Sequence, residues 1–328
     1  MKDADVVDDG KIETLPPTTV QPLLTVITVC LNRADTIAMA LDSVARQLAA
    51  VPSGDIEHLV IDGGSTDGTL AVAVRFTHAR VLSEADSGLY DAMNKGIWLA
   101  TGRYVCFLNS DDALADGVIA AVRPFMLAGH DAICTGTDFV RDGAQGRREV
   151  IETLVAPDAI VLSPATATLG SPLLNAKFFR RDFLRSVGPF DLRYRLASDV
   201  DLLLRAALAR PRIAVLPMVG HHYMEHAGSL TINPAGTNQR RAAEECLAIA
   251  EKSLARADLP PRVRFLLRAW RGAKCLTIAR IEGRHRPDLM PWLMVLKSTA
   301  DVVCYLQYLV QRKMRSPAQR LAADAIDA

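Results

Sequence analysis

Four short apolar segments, each followed by a polar loop, constrain the fold of this chain more than any other feature. They cover residues 23–30, 56–61, 80–83 and 105–108. Short apolar runs of this kind are typical of strands that are buried on both faces of a parallel sheet. A helical segment with an apolar stripe lies at residues 34–48, and a second helical segment lies at residues 70–77. Strands that alternate with helices predict an α/β fold with a mostly parallel sheet flanked by helices.

The loops that follow these segments are rich in groups that bind polar ligands. They contain Asn32, the sequence DGGSTDGT at residues 62–69, EADSG at residues 84–88 and NSDD at residues 109–112. Because crossovers between parallel strands are right-handed, all four loops are expected at one edge of the sheet, where ligands bind in open α/β folds. Carboxylates at that edge suit a hard divalent cation. The alternative is that the Asp and Asn residues only form turns and cap helices.

The segment between the third and fourth predicted strands has a helical pattern with two faces. Its apolar face carries Leu89, Ala92, Met93, Gly96 and Ala100. Its polar face carries Asp91, Asn94 and Lys95. Asp91 and Lys95 have the i,i+4 spacing of a surface ion pair. Because the helix starts beside the loop that carries Asp86, its polar face is also a candidate for ligand contact.

Four sequence motifs together resemble the inverting nucleotide-sugar glycosyltransferases of the GT-A fold, and among them the family 2 enzymes. The motifs are TVITVCLNR at residues 25–33, VIDGGSTDGT at 60–69, EADSGLYDAMNKG at 84–96 and FLNSDD at 107–112. The resemblance implies a Rossmann-like GT-A catalytic domain over residues 23–236, with a nucleotide-binding half at 23–112 and an acceptor-binding half at 113–236. We expect a flexible N-terminal arm over residues 1–22 and a helical C-terminal module over residues 237–328.

The resemblance assigns the donor nucleotide to the loops after the first four strands and to the helix that follows the third. Asp62 is expected to accept hydrogen bonds from the base, with Thr28 and Asn32 lining the same pocket. Asp86 and the polar helix face are expected to contact the ribose and base side. The donor-contact residues that it implies are Thr28, Asn32, Asp62, Ser65, Asp86, Asp91, Asn94, Lys95, Ser110 and Asp111.

The NSDD sequence stands where the family carries its Asp-x-Asp motif, with Asn109 in place of the first acid. The resemblance therefore implies Asp111 as the direct ligand of Mg²⁺ or Mn²⁺, followed by Asp112, and His222 is a candidate for completing the metal shell. Such a cation stabilises the negative charge that builds on a departing diphosphate. One or two protein carboxylates are enough, because the cation keeps water and phosphate oxygens as ligands.

An inverting transfer also needs a base that removes the proton of the acceptor hydroxyl during in-line attack. In the sequence LASDVD at residues 196–201, the resemblance implies Asp199 as that base. The alternative is that Asp199 only caps the helix that starts there, since acids in a first helical turn favour the helix dipole. Asp201 and Arg205 have the spacing of an ordinary ion pair.

Charge is distributed unevenly along the chain. Residues 260–328 carry 13 Lys and Arg against 5 Asp and Glu, a net charge of +8, whereas residues 1–259 carry 25 against 32, a net charge of −7. A basic helical module predicts contact with something anionic, such as phospholipid headgroups or a phosphorylated acceptor. The alternative is that its last, apolar helix packs on the catalytic domain or on a second subunit in a homodimer. Nucleic acid is not expected, because no aromatic-basic binding motif accompanies the charge.

These features and the resemblance predict a metal-dependent inverting glycosyltransferase. Its donor is a nucleoside-diphosphate sugar, with UDP favoured, and its acceptor is a hydroxyl of a glycan or lipid-linked molecule in cell-surface polysaccharide or glycolipid assembly. Six scattered Cys residues predict a reduced, cytoplasmic protein, peripheral on the inner face of a membrane. A catalytically silent GT-A relative that binds a partner enzyme is the alternative. A glycoside hydrolase also uses paired carboxylates, but it needs no nucleotide pocket.

Overall fold

The computed structural model of the chain describes residues 6–7, 11–12, 21–143, 148–225, 237–285 and 299–314. The chain forms two compact units. The first comprises residues up to 161, 173–195 and 211–225, and the second comprises residues 162–172, 196–210 and 226 onward. Two internal segments of the predicted acceptor-binding half therefore join the C-terminal helices in the second unit.

The first unit is built around a mixed β-sheet. Its strands are β1 (Val6–Val7), β2 (Lys11–Ile12), β3 (Leu24–Cys30), β4 (Ile56–Asp62), β5 (Ala79–Ser83), β6 (Tyr104–Asn109), β7 (Ala113–Leu114), β8 (Ala132–Asp142), β9 (Arg148–Leu154), β10 (Lys177–Arg180) and β11 (Ile213–Glu225). Among the described residues, β3 to β11 form one sheet in the order β5-β4-β3-β6-β10-β8-β11-β7, with β9 paired to β8. β1 and β2 pair only with each other, within the predicted N-terminal arm, most of which lies outside the described residues.

The β5-β4-β3-β6 part of the sheet is parallel throughout, which confirms the prediction from the alternation of strands and helices. β10 runs antiparallel to both of its neighbours, β6 and β8. The helices of the first unit are α1 (Ile37–Leu48), α2 (Thr69–Ala73), α3 (Leu89–Leu99), α4 (Val118–Leu127), α5 (Pro157–Ile160) and α7 (Arg181–Val187). Those of the second unit are α6 (Pro164–Thr168), α8 (Ser198–Leu208), α9 (Thr237–Leu254), α10 (Pro261–His285) and α11 (Thr299–Met314).

Helices cover both faces of the central strands, which explains why all seven residues of β3 are buried. On one face, Val44 of α1 packs in the same cluster as Val26 of β3. On the other face, α3 lies so close to β3 that a Cβ on Gly96 would collide with the Ile27 side chain. The neighbouring residues Val26 and Ile27 therefore face different helices, as expected for a strand buried on both sides.

The second unit is helical, which confirms the expected helices in the C-terminal part of the chain. α10 contacts α6, α9 and α11, and its Trp270 is fully buried. α11 falls in the last, apolar helix expected for the C-terminal module, and residues 286–298 before it lie outside the described residues. Among the helices that the structure describes, none has the length and hydropathy needed to cross a membrane.

Candidate functional site

Four parallel strands end side by side at one edge of the sheet. Cys30, the last residue of β3, pairs with Asp62 of β4, and Asp62 pairs with Ser83 of β5. On the other side of β3, Val29 pairs with Asn109, the last residue of β6. The four polar loops therefore start in one row, at the edge where open α/β sheets bind their ligands.

Asp62 organises the loop that follows β4. Its Oδ2 accepts hydrogen bonds from the N–H groups of Gly64 and Ser65 at 3.1 and 2.9 Å, and from the Ser83 hydroxyl at 2.7 Å. Its Oδ1 accepts from the Ser65 hydroxyl and, at 3.5 Å, from the Cys30 thiol. Burial, and after it the charge of Asp62, raises the pKa of Cys30, so the thiol stays a protonated donor. This fully buried carboxylate holds the loop, which differs from its expected role as acceptor for the base.

Asn32 and Ser65 tie the loop after β3 to the loop after β4. The Asn32 N–H donates to Ser65 Oγ at 2.7 Å, and Asn32 Oδ1 accepts from the Thr66 N–H at 2.9 Å. Asn32 has a left-handed backbone with φ of 51°, which Asn adopts more readily than most residues. A third link runs from the Ala34 N–H to Asp67 Oδ2 at 3.2 Å. The two loops therefore form one continuous surface in front of the sheet.

Thr28 lies inside the sheet, two residues before its edge. The side chain is fully buried, and its hydroxyl lies 2.9 Å from Nε2 of His58. Nδ1 of His58 in turn lies 3.2 Å from Nε2 of His78. This placement differs from the expectation that Thr28 lines the nucleotide pocket, because a fully buried hydroxyl presents no atom to a ligand.

Asp86 presents its carboxylate beside the loop that Asp62 organises. Oδ1 accepts a hydrogen bond from the Gly88 N–H at 2.8 Å. Oδ2 lies 2.5 Å from the position that a Cβ of Gly63 would occupy. The carboxylate therefore fills the space that a side chain at position 63 would need. No donor among the described residues reaches Oδ2, so this oxygen can accept a hydrogen bond from a ligand.

The first turns of α3 support the loop that follows β5. Asp91 Oδ2 accepts hydrogen bonds from the N–H and the hydroxyl of Ser87 at 2.9 and 2.8 Å, and these bonds lower the pKa of Asp91. Nζ of Lys95 donates to the Ala85 carbonyl at 2.9 Å and lies 3.1 Å from Glu84 Oε1. Asp91 and Lys95 thus hold the loop on which Asp86 lies.

Asn94 links α3 to the segment before the second unit's α8. Its amide exchanges two hydrogen bonds with the backbone of Phe190, at 2.8 and 3.0 Å. The Phe190 ring packs against Tyr90 and Phe107, with centroid distances of 5.3 and 5.4 Å. Asn94 therefore serves the packing of the first unit, which differs from its expected contact with the donor.

Asp112 is the centre of a buried hydrogen-bond cluster. Its Oδ2 accepts from Nδ2 of Asn109 at 3.0 Å and of Asn175 at 3.2 Å, and its Oδ1 accepts from the Met224 N–H at 3.0 Å. Nε2 of His221 lies 3.3 Å from Oδ2, within ion-pair distance but not aligned for a hydrogen bond. The cluster joins the end of β6 to β11 and to the segment before β10. Both oxygens are already used, which differs from the expected role of Asp112 as a second metal ligand.

Asn109 and Asp111 supply oxygens that suit a hard cation. Asp111 is partly exposed in the turn between β6 and β7, and Ser110 beside it is buried. Asn109 Oδ1 is buried and accepts no hydrogen bond from any described residue. An amide oxygen without a donor, two residues before a carboxylate in the chain, fits the ligands that Mg²⁺ and Mn²⁺ take along with phosphate and water. Within the described ranges, no group of three or more His, Cys, Asp or Glu side chains could hold a metal by itself.

His222 lies in the strand beside these acids. It pairs with Ala113 of β7 and with Asp138 of β8, and its Nδ1 is 3.6 Å from Asp138 Oδ2. Burial lowers the pKa of His222, and the charge of Asp138 opposes that shift. The imidazole is therefore neutral at pH 7, the form that binds metal ions. A carboxylate next to one ring nitrogen is a common way of orienting a metal-binding histidine.

In the second unit, Asp199 and Asp201 lie in the first turn of α8 but in different surroundings. Asp201 is buried, 2.7 Å from Arg205 and 3.3 Å from Lys252, which confirms the predicted Asp201–Arg205 pair. Asp199 is only partly buried, and its Oδ1 accepts a hydrogen bond from the Val200 N–H. Of the two acids, Asp199 is the more exposed.

Glu245 of α9 fixes the segment that leads into α8, and the sequence did not reveal it. Its Oε2 accepts hydrogen bonds from the N–H groups of Leu196 and Ala197 at 2.7 and 3.0 Å. A carboxylate at a helix start satisfies unpaired donors and favours the helix dipole. Local patterns could not predict this cap or the Asn175–Asp112 bond, because in both cases the partners are far apart in the sequence.

Comparisons with known proteins agree with this architecture. The Glycosyl transferase family 2 profile matches residues 25–185. The PGL/p-HBAD biosynthesis glycosyltransferase of Mycobacterium tuberculosis is 33% identical over 198 residues, which cover 56% of this chain and 69% of that protein. S. aureus TarS 1-349 in complex with UDP-GlcNAc is 21% identical with a TM-score of 0.53, over 81% of this chain and 73% of that chain.

The mannosyltransferase PcManGT from Pyrobaculum calidifontis, in complex with GDP-Man and Mn²⁺, is 20% identical with a TM-score of 0.57. That similarity covers 94% of this chain and 88% of the other. The two solved structures share the fold of this chain, which confirms the expected GT-A architecture. The match to the mycobacterial enzyme extends over more than two thirds of that protein. The chain belongs to glycosyltransferase family 2.

Proposed function

We propose that this glycosyltransferase moves a sugar from a nucleoside-diphosphate sugar, with UDP as the favoured nucleotide, to a hydroxyl group of a glycan or lipid-linked acceptor. The reaction inverts the anomeric carbon and uses Mg²⁺ or Mn²⁺. One observation carries the proposal: four parallel strands end in a row, and the loops after β5 and β6 bring the carboxylates of Asp86 and Asp111 to that row. A glycan or lipid-linked acceptor would make this reaction a step of polysaccharide or glycolipid assembly. We propose that this step takes place on the inner face of a membrane.

The donor base lies, in this proposal, against the loops that Asn32 and Ser65 tie together. Asp86 Oδ2 accepts a hydrogen bond from a ring N–H of the base, a group that uracil and guanine both carry. Asp62 acts indirectly, because its buried carboxylate sets the shape of the loop. The bound UDP-GlcNAc of TarS and GDP-Man of PcManGT support a nucleoside-diphosphate sugar as donor.

Asp111 is the proposed carboxylate ligand of the divalent cation, with Asn109 Oδ1 beside it and His222 as a further candidate. When bound, the cation supplies Lewis acidity that stabilises the charge on the leaving diphosphate. Asp112 positions this group without binding the metal, because its bond to Asn109 Nδ2 aims the opposite amide oxygen away from Asp112. The Mn²⁺ in the PcManGT complex supports metal use.

Asp199 is the proposed general base, which accepts the proton of the acceptor hydroxyl as the oxygen attacks the sugar. Its partial exposure supports this role over Asp201, whose buried carboxylate is already paired with two cationic side chains. Glu245 serves as a positioning residue, because it fixes the two backbone N–H groups that directly precede α8.

Calorimetric titration of UDP with and without Mn²⁺ tests the donor site. Because cation and diphosphate bind each other as well as the protein, we expect Mn²⁺ to tighten UDP binding by about 5- to 150-fold. Asp111→Asn should abolish this coupling. The matched control is Asp116→Asn, an exposed acid of the same segment that pairs with Arg46 and should leave the coupling intact. Equal UDP affinity of the wild type in Mn²⁺ and in a chelator would show that the role given to Asp111 is wrong.

A second titration separates the base from the donor site. Asp199→Asn should bind UDP with unchanged affinity while transfer from the best substrate in a nucleotide-sugar panel falls by about 10²- to 10⁴-fold. A loss of UDP affinity as large as the loss of rate would contradict a base. A wild type that binds UDP in a Mn²⁺-dependent way but transfers no sugar of the panel would favour the catalytically silent alternative.

A further inference from the structure

The last helix of the described chain is amphipathic in an unusual orientation. Val303, Leu306 and Val310 of α11 follow each other at helical spacing and are 44%, 53% and 58% exposed. Leu309 lies beside them and is also exposed. Large apolar side chains of a surface helix normally face the core. Four of them exposed on one side of a helix therefore indicate a surface that binds a partner.

The side of α11 that packs inside the unit carries Asp301. Asp301 lies on the side of the helix opposite to the stripe and is buried against α10. Its Oδ2 is 2.6 Å from Nη2 of Arg271, and Arg268 lies 4.0 Å away. Gly272 allows the close approach, because a Cβ there would collide with the Asp301 backbone. The ion pair and the glycine therefore fix the rotation of α11 with its apolar stripe outward.

Within the described part of α11, the charge in line with the stripe is positive. Arg312 and Lys313 are both exposed at the end of the helix. The helical spacing places Lys313 in line with Leu306, whereas Arg312 lies on the side that carries Asp301. Residues 302–314 contain no Asp or Glu. Two copies of this helix that met face to face would offer no carboxylate to Lys313. The phosphate groups of an anionic membrane offer the missing charge beside an apolar layer, which is the environment that an interfacial helix needs.

We propose that the α11 stripe, Val303, Leu306, Leu309 and Val310 with Lys313, docks on the surface of an anionic phospholipid bilayer. The apolar side chains enter the boundary between headgroups and acyl chains, and Lys313 binds a lipid phosphate. The helix lies in the plane of the membrane. This inference does not depend on the proposed reaction, because vesicle binding is measured without donor or acceptor.

Cosedimentation of the full chain with vesicles tests the surface. We expect binding to vesicles that contain phosphatidylglycerol, much weaker binding to pure phosphatidylcholine, and release by salt, because electrostatic attraction to the leaflet is screened. The double variant Leu306→Asp, Val310→Asp should lower the affinity for phosphatidylglycerol vesicles by about tenfold or more. Its matched control is Val150→Asp, Ile151→Asp, which changes two exposed apolar residues of β9 and should bind as the wild type does.

Thermal unfolding of the same variants tests whether protein, rather than lipid, covers the stripe. Unchanged melting temperatures support a lipid surface, because the side chains then contact no protein. A melting temperature that falls by several degrees in the α11 variant would overturn the proposal in favour of another part of this chain or a second copy. Size-exclusion chromatography separates those two cases. Equal binding by both double variants, equal binding to both kinds of vesicle, or no binding by the wild type would also overturn it.

Discussion

At the scale of single residues, the hydrogen-bond cluster of Asp112 explains why this chain carries Asn109 where an acid is expected. Nδ2 of Asn109 donates to Asp112 at 3.0 Å in a buried environment. A carboxylate at position 109 would face a second buried carboxylate with no proton between them. Two like charges at such a distance cannot both stay ionised without a large cost. Asn109 therefore satisfies the cluster while its Oδ1 remains an oxygen ligand.

We expect Asn109→Asp to destabilise the protein by about 1–3 kcal/mol, since it replaces a donor by a second acceptor. Adding Asp112→Asn should recover part of this loss, because the amide introduced at position 112 would then donate to the carboxylate introduced at position 109. The measurement is chemical unfolding of both single variants and the double variant at pH 7. Strictly additive effects of the two substitutions would show that the residues are not coupled.

The residue scale is also where the sequence was least informative. The resemblance assigned Asp62 to the base and Asp111, followed by Asp112, to the metal ion, without showing which of these carboxylates are buried. The structure separates them, because some donors to these carboxylates come from distant parts of the chain. Ser83 and Cys30 donate to Asp62, and Asn175 and Met224 donate to Asp112. Burial and hydrogen-bond satisfaction are properties of the folded chain, and a one-dimensional pattern does not contain them.

At the scale of elements, the strands and helices around the site were predictable because their signals are local. The four parallel strands follow from short apolar runs, and α1 and α3 from apolar stripes. The short strands β7 and β10 were not predicted, since their partners β11, β6 and β8 are distant in sequence. These strands join β11, β6 and β8 around the acids that follow β6, so the geometry of that region depends on long-range pairing.

The pair of His58, which is buried in β4, and His78, which is half-buried just before β5, predicts a specific dependence of stability on pH. Burial lowers the pKa of His58 to about 3 from its ordinary 6.5, and burial also lowers the pKa of His78. As the pH falls below about 6.5, His58 therefore binds a proton in the unfolded chain but stays neutral in the folded chain. The contribution of neutral His58 to the free energy of unfolding is fully present above pH 6.5 and is lost as the pH falls from there toward 3.

Unfolding free energies measured between pH 8 and pH 4 should therefore fall below about pH 6.5, by up to about 1.4 kcal/mol per pH unit for each such histidine. His58→Gln retains hydrogen-bonding groups for Thr28 and His78 but cannot titrate. We expect this variant to have a shallower slope in the same window, even if its stability at pH 8 is lower. A variant with an unchanged slope would show that His58 titrates normally in the folded chain.

At the scale of the whole molecule, the helices after residue 236 do not form a unit by themselves. They share the second unit with α6 and α8, and they provide Glu245 and Lys252 to the segment of Asp199 and Asp201. A chain truncated after residue 236 loses these partners and exposes the apolar side of α8. We expect residues 196–210 to become sensitive to proteolysis in the truncated chain while remaining protected in the full chain.

Limited proteolysis with mass spectrometry measures this protection. A chain truncated after residue 314 is the control, because it keeps every described helix, and it should remain as resistant as the full protein. Equal protection of residues 196–210 in both truncated chains would mean that a division at residue 237 yields two independent domains.

The chain passes back and forth between the two units, and this limits which chimaeras can be made with another glycosyltransferase. The path passes from one unit to the other five times, at residues 161, 172, 195, 210 and 225. A chimaera that takes only the C-terminal helices from another glycosyltransferase would pair foreign α9 and α10 with native α6 and α8. Exchange of the helical unit as a functioning cassette therefore requires three separate grafts, of residues 162–172, 196–210 and everything after 225.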